Sequence, residues 1–224
     1  MFNRVVEREY ASKGVPVPTG LIKDPNDRVF KFNSRLCEPC NNRRTQPYDH
    51  AWEKLSRHIG IRIPEYQPGE SVDVRAVFGK HAEREMLRVH LYFVKMFGGH
   101  VADLGVPIDL GKLAECLRDG VPHPNIHLRL AYAPENGNYI GDRNGIETMV
   151  FEGGKLSAIW MYCVRRIGMT VFYEDVGGYT ESLKDYFHPT AGVKKLEVAD
   201  CTKYLGKPSK FPGLPHKIVV ASAA

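Results

Sequence analysis

A chain of 224 residues with 43% apolar and 25% charged side chains can bury one large core or two small ones. No run approaches the eighteen or so apolar residues of a membrane span, and MFNRVVEREY lacks the apolar stretch of a secretory signal. A cytoplasmic protein with no membrane partner is expected. The formal net charge of +5 is concentrated: Lys31, Arg35, Arg43, Arg44, Lys54, Arg57 and Arg62 are set against only Glu38, Asp49 and Glu53 in the same stretch.

Residues 1 to 30 hold Gly14, Pro16, Pro18, Gly20 and Pro25 and read as an irregular arm. Arg28 to Asn33 alternates as a short strand does. It leads into Cys37-Glu-Pro-Cys40, expected as a turn. Thr45 or Gln46 then caps a helix with Pro47 at its first position. Tyr48, Trp52, Leu55 and Ile59 form its apolar stripe, Glu53 and Arg57 an i,i+4 pair on the outer face, and Gly60 its end. Residues 61 to 78 read as a connector. A longer helix is expected from Gly79 to Phe97, its buried face made by Ala82, Met86, Val89, Phe93 and Phe97, with Gly98-Gly99 as the stop. A third helix runs from Leu110 to Arg118, capped by Asp109 and stopped by Gly120, with Cys116 as a small core residue.

The pattern then changes to period two. Ile126, Leu128, Leu130 and Tyr132 alternate with His127, Arg129 and Ala131. Thr148 to Phe151 and Leu156 to Val164 flank Gly153-Gly154 as a hairpin. Gly168 separates the second of these from Met169 to Tyr173, and Val193 to Val198 and Lys217 to Ala221 are further strands. Lys203 to Lys217 reads as a surface loop. The fold class is therefore α+β: a strand, a Cys-x-x-Cys turn and a helix, then two middle helices, then a mainly antiparallel sheet. The expected division is 1–62 and 63–224, or one continuous domain.

Five cysteines at irregular spacing do not make a disulfide framework. A lone Cys-x-x-Cys supplies two thiolates of a tetrahedral zinc site. His50 and His58 are the residues that could complete it. A dithiol redox site at this spacing opens a helix. Here Asn41 to Pro47 is expected to delay the helix, which counts against that reading. His81, Glu85 and His90 do not share one helix face. His123 and His127 flank prolines at a strand start and receive no role.

The stretch Phe32 to Ile59, and Leu36-Cys-Glu-Pro-Cys-Asn41-Asn-Arg-Arg-Thr45 in particular, resembles the C-terminal half of the HNH (ββα-metal, treble-clef) endonuclease motif. The resemblance implies that Cys37 and Cys40 hold structural zinc. It implies that Asn41 orients the loop and that His50 helps bind a catalytic divalent cation such as Mg. Arg43, Arg44 and Lys54 would then contact DNA, and the reaction would be metal-assisted phosphodiester hydrolysis. The family's first half carries another Cys-x-x-Cys and the histidine that activates water. Residues 1 to 36 contain neither Cys nor His. Those groups are lost, lie upstream of Met1, or come from elsewhere, and impaired hydrolysis is expected. The alternative is a non-catalytic nucleic-acid-binding or interaction protein that retains a zinc-knuckle remnant.

Overall fold

The computed structural model describes residues 37, 39–62, 69–132, 145–151, 154–164, 167–175, 183–192, 196–200 and 218–222. All of them belong to one unit, Leu36–Ala224. The expected arm, the strand at 28–33 and the loop at 203–217 lie outside the described residues.

Helix α1, Gln46–Arg62, buries Tyr48, Ala51, Trp52, Leu55 and Ile59, the stripe its periodicity predicts. Gly60 does not end it. The last turn runs on to Arg62 with Gly60 and Ile61 exposed, so that glycine faces water. The expected connector at 61–78 contains structure of its own: strand β1, Ser71–Val72, and helix α2, Val74–Phe78. The Asp73 carboxylate starts α2 by accepting the Arg75 N–H at 2.8 Å.

A single 3-10 turn, Gly79–His81, precedes helix α3, Ala82–Leu104, so the long helix begins three residues later than its pattern suggests. It also ends later. Gly98 and Gly99 lie inside it, and Gly105, at φ +64, is the left-handed cap. Burial explains the difference. Phe97 and Val101 are buried on either side of the pair, and Gly98 lies against Leu113 of helix α4, Leu110–Asp119. Docking this turn outweighs the roughly 1 kcal/mol by which each glycine disfavours a helix. Helix α4 has the expected caps: the Asp109 carboxylate accepts the Gly111 N–H at 2.9 Å, and Gly120 closes the end at φ +68.

The strands are β2 (Ile126–Tyr132), β3 (Gly145–Val150), β4 (Leu156–Val164), β5 (Ile167–Glu174), β6 (Leu196–Asp200) and β7 (Ile218–Ser222). The sheet order is β1-β6-β2-β5-β4-β3-β7. All pairs are antiparallel except β2 with β6. The fold is thus α+β with a mainly antiparallel sheet, as the alternation predicts. Gly168 is not a separator. It lies within β5, opposite Ala131 and Cys163, where neighbouring backbone comes close.

One core joins helices and sheet. Phe97 of α3 stacks on Tyr173 of β5 at 6.3 Å, and His100 lies 4.7 Å from Trp160 of β4. Trp52 of α1 meets the edge of Phe93 at 4.8 Å and Tyr162 at 5.9 Å. No helix among the described residues is long and apolar enough to cross a membrane.

Candidate functional site

The chain is helical from Pro39 onward, within the Cys-x-x-Cys segment. The Asn41 N–H donates to the Cys37 carbonyl at 2.9 Å, an i,i+4 bond. Cys40–Arg44 is a single wide turn, closed when the Thr45 N–H donates to the Cys40 carbonyl at 3.0 Å. Helix α1 follows at once. The expected delay of the helix is therefore a misreading: Asn41 to Thr45 continue the helical path by widening it by one residue. Pro39 starts this run at φ −61, its ring already at a helical angle.

Cys37, Asn41, Asn42, Arg43 and Arg44 are exposed and Cys40 is half-buried. The Cys40 thiol hydrogen-bonds to Cys37 and favours its thiolate, with a smaller contribution from the Arg44 charge, so the Cys37 pKa is lowered. The same bond, with some burial, holds the proton on Cys40 and raises its pKa. Asn41 takes part in the turn through its backbone. Its carbonyl accepts from the Thr45 hydroxyl at 3.1 Å.

The exposed turn stands on buried polar contacts. Thr45 is 1% exposed. The buried Lys95 ammonium of α3 pairs with the Asp49 carboxylate, reaches the Thr45 hydroxyl at 3.5 Å and lies 5.6 Å from the Tyr92 ring. The Tyr48 hydroxyl donates to the Leu117 carbonyl at the end of α4, at 3.2 Å. No sequence cue points to Lys95, because a lysine beside an apolar stripe ordinarily points to water.

The other residues implied by the resemblance are on α1. His50 is exposed, as are Glu53, Lys54 and Arg57, three to seven residues along the same face. Glu53 and Arg57 pair at 2.6 Å. Lys54 lies over the Phe78 ring at 5.4 Å, ten residues and so roughly 15 Å of helix from Arg44. Cys37 and Cys40 are thus brought together, whereas Lys54 belongs to a separate stretch of surface. No group of three or more His, Cys, Asp or Glu among the described residues is arranged to hold a metal ion. The described residues therefore supply two thiols toward zinc and do not complete a tetrahedral set.

A histidine cluster lies elsewhere in the fold. His90 of α3 is fully buried, His123 and His188 nearly so, and His127 partly. The His123 N–H donates to His90 Nε2 at 3.2 Å, and the Asn125 N–H to His123 Nδ1 at 3.2 Å. His188 Nδ1 accepts the Thr190 N–H at 3.3 Å, so its Nε2–H donates to the His123 carbonyl at 3.0 Å. His90 Nδ1 is buried with no hydrogen-bond partner among the described residues. Burial, then neighbouring histidines, pushes the His90 pKa well down. His123 and His127 are lowered to about 4, chiefly by burial. The cluster ties residues 187–190 and the approach to β2 onto α3. Two cues were present in the sequence: His90 is in helical phase with Met86, Phe93 and Phe97, and His-Pro occurs at both 123 and 188.

Beside His188 a cleft of about 420 Å³ is lined by Arg129, Lys184, Asp185 and Tyr186 among others. The Arg129 guanidinium is engaged within the protein, 3.7 Å from Asp185 and 5.7 Å from the Tyr186 ring. No family model, curated protein or solved structure matches the chain.

Proposed function

We propose that this chain is an HNH-endonuclease-like protein that binds DNA phosphates through the Cys37–Arg44 turn, with hydrolysis impaired. The observation that supports the reading is the turn itself, where Arg43 and Arg44 project from an exposed helical turn whose base is fixed in the core by Thr45. Two guanidinium forks suit phosphate oxygens, because each planar fork is pre-organised for bidentate contact. Asn41 and Asn42, exposed beside them, offer amide donors to the same backbone. Impairment is part of the proposal: residues 1 to 36 hold no histidine to activate water, and the described residues offer two thiols toward zinc.

Binding without catalysis is the second reading. It is favoured by the place of His50 on the solvent face of α1, in line with the Glu53–Arg57 pair. Fluorescence anisotropy with a labelled DNA duplex tests the shared claim. The Arg43→Ala/Arg44→Ala variant should bind more weakly on any sequence and reduce the salt slope by about 2, roughly one for each phosphate that is no longer neutralised. Unchanged affinity and slope would overturn it. A plasmid-nicking assay with Mg separates the two readings. Nicking abolished in His50→Ala supports hydrolysis, and binding with no nicking supports the second reading.

A further inference from the structure

We propose that Cys37 and Cys40 form a reversible dithiol–disulfide couple, with Cys37 as the attacking thiol and Cys40 as the resolving one. The inference goes beyond DNA binding and does not depend on it.

It starts from the mismatch between the cysteine pair and zinc. Two thiols without a third ligand among the described residues leave half a tetrahedral set open. What the geometry does provide is two thiols three residues apart at the entry to a helix, with the Asn41 N–H donating to the Cys37 carbonyl at 2.9 Å. Cβ atoms so spaced are about 5–6 Å apart on a helix. A disulfide needs about 3.5–4.5 Å. Closure therefore asks for a movement of roughly 1–2 Å at the exposed Cys37. The Cys40 end stays in place, because Pro39 presets the backbone at φ −61 and the Cys40 carbonyl is held by the Thr45 N–H.

Accessibility divides the roles. Cys37 is exposed and open to an incoming disulfide, whereas Cys40 is half-buried behind it. The co-reactant is a low-molecular-weight disulfide, RSSR. The Cys37 thiolate attacks one sulfur of RSSR, forming a Cys37–S–SR bond and breaking the S–S bond, and RS⁻ leaves and takes up a proton. Cys40 gives its proton to water, and its sulfur attacks that of Cys37. The Cys37–Cys40 bond forms as the second RS⁻ leaves and is protonated. The protein loses two electrons and two protons, and RSSR becomes two RSH.

The test uses the full chain, reduced and then equilibrated with glutathione and glutathione disulfide at graded ratios. It is quenched by alkylation and read by peptide mass spectrometry. The couple predicts that Cys37 and Cys40 lose reactivity together, before Cys116, and appear as one cross-linked peptide lighter by two hydrogens. Cys40→Ser should stop at a glutathione adduct on Cys37, and Cys37→Ser should accumulate far less adduct on Cys40. Both variants change a surface turn, and circular dichroism checks that they fold. Two outcomes overturn the proposal. One is oxidation of Cys37 and Cys40 independently of each other, with adducts and no cross-link. The other is tight one-to-one zinc binding that shields both thiols from alkylation, which makes the pair a metal site.

Discussion

The Lys95–Asp49 pair sets how firmly the turn is held, and its removal has a predictable cost. The Lys95 side chain is 8% exposed and that of Asp49 is 39% exposed. Breaking a fully buried pair costs about 3–5 kcal/mol, since one charge stays buried and uncompensated. An exposed pair contributes about 0–1 kcal/mol. Asp49→Ala leaves the ammonium with the Thr45 hydroxyl at 3.5 Å and the Tyr92 ring at 5.6 Å. Water can also enter where the half-exposed carboxylate stood. The expected loss is therefore intermediate, about 2 kcal/mol. Lys95→Met removes the buried charge and keeps most of the volume, so it should change stability by less than about 1 kcal/mol in either direction. The double variant should then lie close to Lys95→Met alone, a coupling of about 2 kcal/mol. Urea unfolding followed by tryptophan fluorescence measures all four proteins. A cost for Asp49→Ala below about 0.5 kcal/mol, or additive effects in the double variant, would refute the buried-pair argument.

Three further outcomes follow from the fold. His123 and His127 take up protons near pH 4 when folded and near 6.5 when unfolded. Their contribution is complete above about pH 6.5 and is lost as pH falls toward about 4, by on the order of 1–2 kcal/mol each after allowing for solvent access. Urea midpoints should fall over that range, with a shallower fall in His127→Gln. Gly98→Ala adds a Cβ 3.5 Å from Leu113 Cδ1, an ordinary contact, so it should raise thermal stability by about 0.5–1 kcal/mol; destabilisation would mean the helix does not continue through residue 98. Gly168→Ala places a Cβ 3.2 Å from the Tyr162 carbonyl and 3.3 Å from Ala131 Cβ. It should cost about 1–3 kcal/mol in a thermal melt, with partial recovery in Gly168→Ala/Ala131→Gly.

Elements governed by local chemistry were legible in the sequence. The Asp109 carboxylate and Gly120 bound α4, and Ile126, Leu128 and Leu130 put β2 in register with β5. Misreadings occurred where distant contacts decide. Gly98-Gly99 reads as a stop because each glycine weakens a helix locally, yet the packing of α3 on α4 carries the helix past it. Strand β1 is two residues long and exists through its pairing with Leu196 and Glu197, far along the chain. The histidine cluster draws on three separate segments, so no spacing rule could assemble it. Arg43 and Arg44 are where a surface reading puts them, whereas Lys95, which steadies their base, reads as an ordinary surface lysine.

The turn and the core therefore cannot be treated as separable parts. Most helical stability in a protein comes from packing an amphipathic face, and α1 buries Trp52, Leu55 and Ile59 at 5%, 0% and 3% exposure. The exposed chemistry at Cys37, Arg43 and Arg44 thus depends on α3 and α4 through Thr45, Asp49 and Tyr48. Tyr48 makes the dependence concrete. Its hydroxyl reaches the Leu117 carbonyl, and burial raises its pKa, so it remains a neutral donor. Tyr48→Phe leaves that carbonyl of α4 without its side-chain donor and should cost about 1 kcal/mol. If the turn is steadied from below, the same change should also alter cross-linking of Cys37 to Cys40 while leaving both cysteines in place. A variant that loses stability with no change in the cross-linking ratio would show that the surface turn keeps its geometry without this hydrogen bond.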